Sequence, residues 1–281
     1  MLRETYMTIP CERNKSIPVF SGDGVKMEIF AHRGYSSQYP ENTMTAFRKA
    51  LEAKADGIEM DARLTFDGHV VIMHDPTVDR TTNGKGKVRE LNLSEILSLD
   101  AGIKKGVVFE NERVPMLEQV FAELGRKLLL NIELCNYEEA DDRMLAEAVV
   151  ELIEKYNLVD SVIISSFRFN NLVYVKDKNP GISCGLLASA GLKGFFARKL
   201  LNHSVSVDAL HPYYTDVSAG LVRGEQQCGR KVRVWTVNDL KEIRRLDEMG
   251  VDAVFTDDPL AVREFYASEK LLEQGVMPGE A

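Results

Sequence analysis

From Glu28 onward the chain alternates short apolar runs with stretches whose apolar residues recur at helical spacing. The short runs are Glu28–His32, Gly57–Asp61, Val70–His74, Lys127–Leu134, Ser161–Ser166, Ser183–Leu187, Val207–Leu210, Lys231–Val237 and Asp252–Thr256. Between them, Met44, Phe47 and Leu51 share one face of a helix that starts near Asn42, with Gly57 just past its end. Leu145, Ala148, Val149, Leu152 and Ile153 stripe a second helix over Glu139–Tyr156, and a third spans Leu240–Met249. Strands that alternate with helices predict a parallel sheet with helical crossovers. The strand set is one larger than an eight-stranded barrel needs, and Gly181–Leu187 and Val207–Leu210 carry the weakest pattern. A doubly wound open sheet would alternate in the same way.

Two stretches break the alternation. Asp79–Arg113 holds Thr81-Thr82-Asn83-Gly84-Lys85-Gly86 and a short helical piece at Ser94–Leu99. It reads as an insertion over one end of the main fold, of the kind that serves as a lid or substrate loop. Residues 1–26 are aperiodic and read as an N-terminal extension. The main domain is then 27–268, with 79–113 inserted and 269–281 as a tail.

A chain of 281 residues with 44% hydrophobic composition can bury the core of one large α/β domain. The net charge of -8 argues against nucleic acid or an anionic membrane as the main partner, so an anionic ligand would need a local positive site. Cys11, Cys135, Cys184 and Cys228 are scattered without a C-x-x-C pair, which points to free thiols in a reducing compartment rather than a zinc or disulfide framework. No run is long enough for stable membrane insertion, and the first residues lack a secretory h-region, so the expected location is cytoplasmic.

The chemistry concentrates at strand ends. In Gly57-Ile58-Glu59-Met60-Asp61 alternate side chains share a face, so Ile58 and Met60 pack outward on helices while Glu59 and Asp61 point inward. Leu128–Leu134 repeats the pattern, with Asn131 and Glu133 on the inward face. One such acid is usually solvated or paired with an arginine. Three inward carboxylates make a plausible hard-cation site, better suited to Mg²⁺ or Ca²⁺ than to Zn²⁺. His32 and His74 each end an apolar strand, where catalytic groups collect in parallel α/β folds. The short link between Asp61 and His74, with Asp67-Gly68 near its middle, has no room for a crossover helix. Read as a hairpin turn, it sets Asp61 about opposite His74. Arg33 follows His32 and could bind phosphate. A metal and an arginine that neutralise non-bridging oxygens, with two histidines as acid and base, suit phosphodiester cleavage.

These motifs resemble the glycerophosphodiester phosphodiesterase family. The likeness rests on His32-Arg33-Gly34, Pro40-Glu41-Asn42-Thr43, Glu59-Met60-Asp61, Asp67-Gly68, His74-Asp75, Asn131-Ile132-Glu133-Leu134, Val234-Trp235-Thr236-Val237-Asn238, and Gly250-Val251-Asp252 running to Thr256-Asp257-Asp258-Pro259. Each is weak alone, but their order and spacing are specific from about Glu28 to Phe265. The resemblance implies a (β/α)8 TIM barrel with a small insertion after the third strand. It further implies metal ligands at Glu59, Asp61 and Glu133, an acid–base pair at His32 and His74, and a small-molecule glycerophosphodiester as substrate, cut to glycerol 3-phosphate and an alcohol. It also tilts Trp235 from core packing towards a wall of the substrate pocket. Two positions depart from the family pattern. Cys135 stands where a lysine is frequent, on the same inward face as Glu133. Phe169 stands where Ser-Phe-Asp-His has its histidine, with Arg168 beside it as a candidate replacement charge. Alternatives are a lysophospholipid or phosphoinositide-headgroup phosphodiesterase, for which Val107-Val108-Phe109 would meet the lipid, and a non-catalytic barrel that binds phosphodiesters.

Overall fold

The computed structural model describes residues 27–137, 143–195 and 207–273. The N-terminal extension with Cys11, the expected helix start at Glu139 and the end of the tail lie outside them. Among the described residues nine strands follow one another: β1 (Glu28–Ala31), β2 (Gly57–Leu64), β3 (Val70–Ile72), β4 (Leu129–Leu134), β5 (Val162–Ser166), β6 (Ser183–Ala188), β7 (Ala209–Pro212), β8 (Lys231–Val234) and β9 (Ala253–Thr256). All but β3 run parallel. β9 pairs with β1 through Glu28↔Ala253 to Ala31↔Thr256, and β1 pairs with β2 at Phe30↔Gly57, so the sheet closes on itself. The architecture is a (β/α)8 barrel with an insertion after β3.

Both weakly patterned runs are barrel strands, and the surplus strand is β3. The reason lies in the link before it. Thr65 N donates to His69 O (2.9 Å) and Gly68 N to Thr65 O (3.2 Å), with Gly68 at φ 83°, so the chain reverses within a few residues. A connection that short can only give antiparallel pairing. β2 outruns the barrel, and its last residues pair with β3 at Ala62↔Ile72 and Leu64↔Val70. In this register Met73 N donates to Asp61 O (2.8 Å), so Met73, not His74, stands opposite Asp61.

Among the described residues the α-helices are α1 (Met44–Glu52), α2 (Leu93–Ser98), α3 (Leu117–Leu124), α4 (Arg143–Lys155), α5 (Phe169–Lys178), α6 (Ala219–Gln227), α7 (Leu240–Glu248) and α8 (Pro259–Glu273). α8 continues past the expected 268/269 boundary. Thr43 caps α1 by accepting from Ala46 N (3.2 Å). The outward strand residues Ile58, Met60, Ile132 and Ile164 join Phe47, Phe121, Val149 and Ile153 from the helices in one buried cluster. Its fully buried Ile and Val side chains each contribute about 1.5–3 kcal/mol. The insertion has a smaller core of its own, where Val78, Val88, Ile96 and Val114 meet Val71 and Met73.

Inside the barrel the layers differ in chemistry. At the end where the strands begin, Arg233 and Glu28 are buried with Nε and Oε2 3.7 Å apart. Phe30, Leu129, Ile163, Ala253 and Phe255 fill the middle. Gly57 and Gly185 leave room there, because a Cβ on Gly57 would lie 2.3 Å from the Phe30 ring and one on Gly185 2.3 Å from His211 Nε2. The carboxylates occupy the far end, at the carboxyl ends of the strands.

Candidate active site

β1 delivers His32 and then turns sharply, with Arg33 at φ 57° and Gly34 at φ 79°. Only glycine fits the second position, since a Cβ there would lie 2.8 Å from Ala46. The turn aims Arg33 N at Glu59 Oε2 (2.9 Å). His32 Nδ1 meets Asp257 Oδ1 at 2.7 Å, and its Nε2 lies 4.0 Å from Glu59 Oε2. Asp257 also accepts from Ser36 Oγ (3.1 Å) and Asn238 Nδ2 (2.6 Å). His74 repeats the plan, with Nδ1 2.7 Å from Asp75 Oδ1. Arg63 donates to the His74 carbonyl through Nε (2.8 Å), and Arg80 donates through Nε to Asp75 Oδ2 (2.7 Å). A carboxylate on each Nδ1 favours the tautomer with the proton there, which leaves Nε2 for the cavity.

The three inward acids come together as strand geometry requires, because Glu59 and Asp61 are two residues apart and Asp61 pairs in register with Glu133. Asp61 accepts from Asn42 Nδ2 (2.8 Å) and has Arg33 Nε at 3.2 Å, and Glu133 accepts from the Tyr137 hydroxyl (2.8 Å). Arg33 is shared, since its Nη1 also donates to Glu41 (2.9 Å), which Arg80 clamps from the other side. Glu59 Oε1 is buried without a hydrogen-bond partner. Ligand atoms of Asp61, Glu133 and Cys135 lie within 4.8 Å of one another, with Glu59 outside that group.

The charges are out of balance. Burial and the Asp61 and Glu133 charges push the Glu59 carboxyl well up, against Arg33. Burial and Asp61 raise Glu133 to about 7, against the Tyr137 hydroxyl and Arg33. Burial would raise Asp61 too, but Arg33, then His74, Asn42 and His32, hold it below its ordinary value. One shared guanidinium cannot neutralise three carboxylates, so the donor set fits a hard divalent cation.

His32, Arg33, Glu59, His74, Glu133 and Trp235 all line one cavity of about 120 Å³. Trp235 donates through Nε1 to His211 O (2.7 Å) and packs edge-on against Phe167 (5.5 Å) and Tyr213 (5.3 Å). His211 borders the same cavity from within the barrel. It is fully buried on β7 with neither ring nitrogen hydrogen-bonded, and burial and Arg233 keep its pKa well below normal. Arg168 does not reach the cavity to replace a charge. It sits at the N-cap position of α5 without a capping side-chain bond and instead donates to Tyr137 O (2.8 Å), while Phe169 packs against the outer core. Asp75 and Asp257 were legible only as motif members. Both sit just past strand ends, where carboxylates often serve a site, but the 225-residue separation of Asp257 from His32 hid that pairing.

Residues 32–261 match the model of the glycerophosphoryl diester phosphodiesterase family. A glycerophosphodiester phosphodiesterase of Caldanaerobacter subterraneus subsp. tengcongensis is 42% identical over 84% of this chain and 96% of its own. One from Bacillus altitudinis is 33% identical over 83% and 95%. Among solved structures, an Oleispira antarctica phosphodiesterase in complex with the product sn-glycerol-3-phosphate superposes with a TM-score of 0.76 and 31% identity, over 86% of this chain and 97% of that one.

Proposed function

The chain belongs to the glycerophosphoryl diester phosphodiesterase family and is a phosphoric diester hydrolase of that class, and we propose that it works by metal-assisted acid–base catalysis with His32 and His74. The observation that carries this reading is the paired anchoring of the two imidazoles. Each is held at Nδ1 by its own aspartate, and both line the cavity that Glu59 and Glu133 also line.

A divalent cation held by Glu59, Asp61 and Glu133 would polarise the phosphoryl oxygens and neutralise charge developing on them. Arg33, fixed by Glu41 and Asp61, adds positive charge beside the same oxygens. One imidazole takes the proton from the attacking hydroxyl, whether of water or of the neighbouring glycerol carbon, through its Nε2. The other gives a proton to the departing alkoxide. Asp75 and Asp257 hold the rings and stabilise the imidazolium formed. Trp235 and Phe167 offer apolar faces for the glycerol carbons. Attack by water gives glycerol 3-phosphate and the free alcohol directly, whereas attack by the glycerol hydroxyl releases the alcohol and leaves a cyclic phosphate, which water then opens to glycerol 3-phosphate with the two imidazoles exchanging roles.

The test is glycerol 3-phosphate release from glycerophosphocholine and glycerophosphoethanolamine, with Mg²⁺, with Ca²⁺ and with chelator. Turnover is expected with metal and is abolished by chelator. His32→Ala or His74→Ala lowers kcat roughly 10²–10⁴-fold. Full turnover in chelated protein, or in either variant, overturns the mechanism. A second reading has one observation in its favour. Val107 and Val108 on the insertion are 80% and 81% exposed, an apolar tip suited to a lipid aggregate. Among the described residues no helix is long and apolar enough to cross a membrane. Faster turnover on lysophospholipid micelles than on deacylated diesters would favour this second reading.

A further inference from the structure

Cys135 changes the character of the carboxylate cluster. It follows β4 directly, and its amide donates to Ala62 O (3.1 Å), which draws the residue in against β2. The side chain is buried, with Sγ 3.4 Å from Asp61 Oδ1 and 3.6 Å from Glu133 Oε1. A thiol carries one proton and can donate to only one of these carboxylates at a time. Beside it the Glu59 carboxylate, on the same strand face as Asp61, keeps a buried oxygen without a partner. An oxygen and a sulfur on one tetrahedral ion, at bond lengths of roughly 2.1 and 2.3 Å, stand about 3.6 Å apart. The two observed separations have that value to within a few tenths of an ångström.

We infer that Cys135 is a ligand of the cation held by Asp61 and Glu133, so that the site takes a thiophilic dication such as Zn²⁺, Co²⁺ or Cd²⁺ in preference to Mg²⁺ or Ca²⁺. The inference rests on the metal reading of the carboxylates given above and changes the ion that reading favours. A sulfur–metal bond forms, the thiol proton passes to solvent, and no electron changes hands. Three carboxylates alone select hard ions, whereas one thiolate shifts the set towards softer ones.

The probe is Cd²⁺ added to the full chain, with bound metal counted by equilibrium dialysis and thiolate-to-metal charge transfer read by ultraviolet absorption. Wild type is expected to bind Cd²⁺ with a charge-transfer band. The band persists in Cys11→Ser and Cys228→Ser and disappears in Cys135→Ser, whose Cd²⁺ affinity falls at least about tenfold while Mg²⁺ affinity does not. Cadmium NMR of the wild-type chain reads the sulfur ligand even where the variant fails to fold. Cd²⁺ bound at the carboxylates with no band and no sulfur-shifted resonance overturns the role of Cys135 and leaves the carboxylate site standing. A chain that binds neither Cd²⁺, Mg²⁺ nor Ca²⁺ overturns both.

Discussion

Glu133→Gln sets stability against metal binding in one side chain. Glu133 is raised from 4.5 to about 7 by burial and by the Asp61 charge. A carboxyl raised on folding favours the folded chain below its unfolded value, and that advantage is lost as pH rises through the folded one, so the window runs from 4.5 to about 7. Above it, holding the charged carboxylate costs roughly 3 kcal/mol at ~1.4 kcal/mol per unit. Glu133 is only part-buried and faces the cavity, where water screens it, which reduces the cost to about 1–2 kcal/mol. A glutamine at this position can still accept from the Tyr137 hydroxyl and can donate to Asp61. In urea denaturation with chelator, the variant is therefore expected to be about 1–2 kcal/mol more stable than wild type near pH 8, with the difference vanishing near pH 4.5. With saturating divalent cation the order reverses, because wild type alone keeps its full ligand set, and turnover of the variant falls. A chelated variant no more stable than wild type near pH 8, or a gap that is flat with pH, would refute the electrostatic reasoning.

The remaining expectations concern other parts of the barrel. Burial would raise the Asp257 carboxyl, but the His32 hydrogen bond and charge, with Asn238 and Ser36, hold it at about 2 against a usual 3.8. The stability this gives is present above 3.8 and lost as pH falls through 2, so Asp257→Asn costs about 1 kcal/mol near pH 6 after discounting for exposure. Equal denaturation midpoints for variant and wild type near pH 6 would contradict this. Gly185→Ala drives a methyl into the His211 ring and is expected to cost about 1–3 kcal/mol by urea denaturation, an unchanged midpoint being the contrary result. Trp235→Ala is expected to raise KM several-fold with kcat nearly constant. A drop confined to kcat would place the indole with the reacting groups instead.

Much of this was legible because strand alternation has a period of two. Ile58 and Met60 outside, with Glu59 and Asp61 inside, follow from spacing alone, and the same rule placed Glu133 and Cys135 on one face. Strand direction at β3 needed the turn, since a three-residue apolar run carries no polarity of its own. Weak patterns at β6 and β7 had a local cause. Gly185 and His211 occupy interior positions where an apolar side chain would normally mark a strand, and each makes room for the other. Asp257 was opaque as a partner because its pairing with His32 spans 225 residues, and the clamp of Arg80 on Glu41 likewise joins segments 39 residues apart. Arg168 misled because charge alone does not say whether a guanidinium faces a cavity or a backbone carbonyl.

Trp235 is the chain's single tryptophan, and it stands on the cavity wall with its indole N–H tied to His211 O and its ring among Phe167 and Tyr213. Excitation at the red edge of the protein absorption therefore selects one chromophore, with the nine tyrosines silent. A diester that enters the cavity replaces water beside that ring and alters its emission. In chelated protein, where the proposed chemistry stops, the same signal gives a binding isotherm without label or turnover. Every spectral change then comes from one known wall of the cavity, which makes the barrel its own sensor of occupancy.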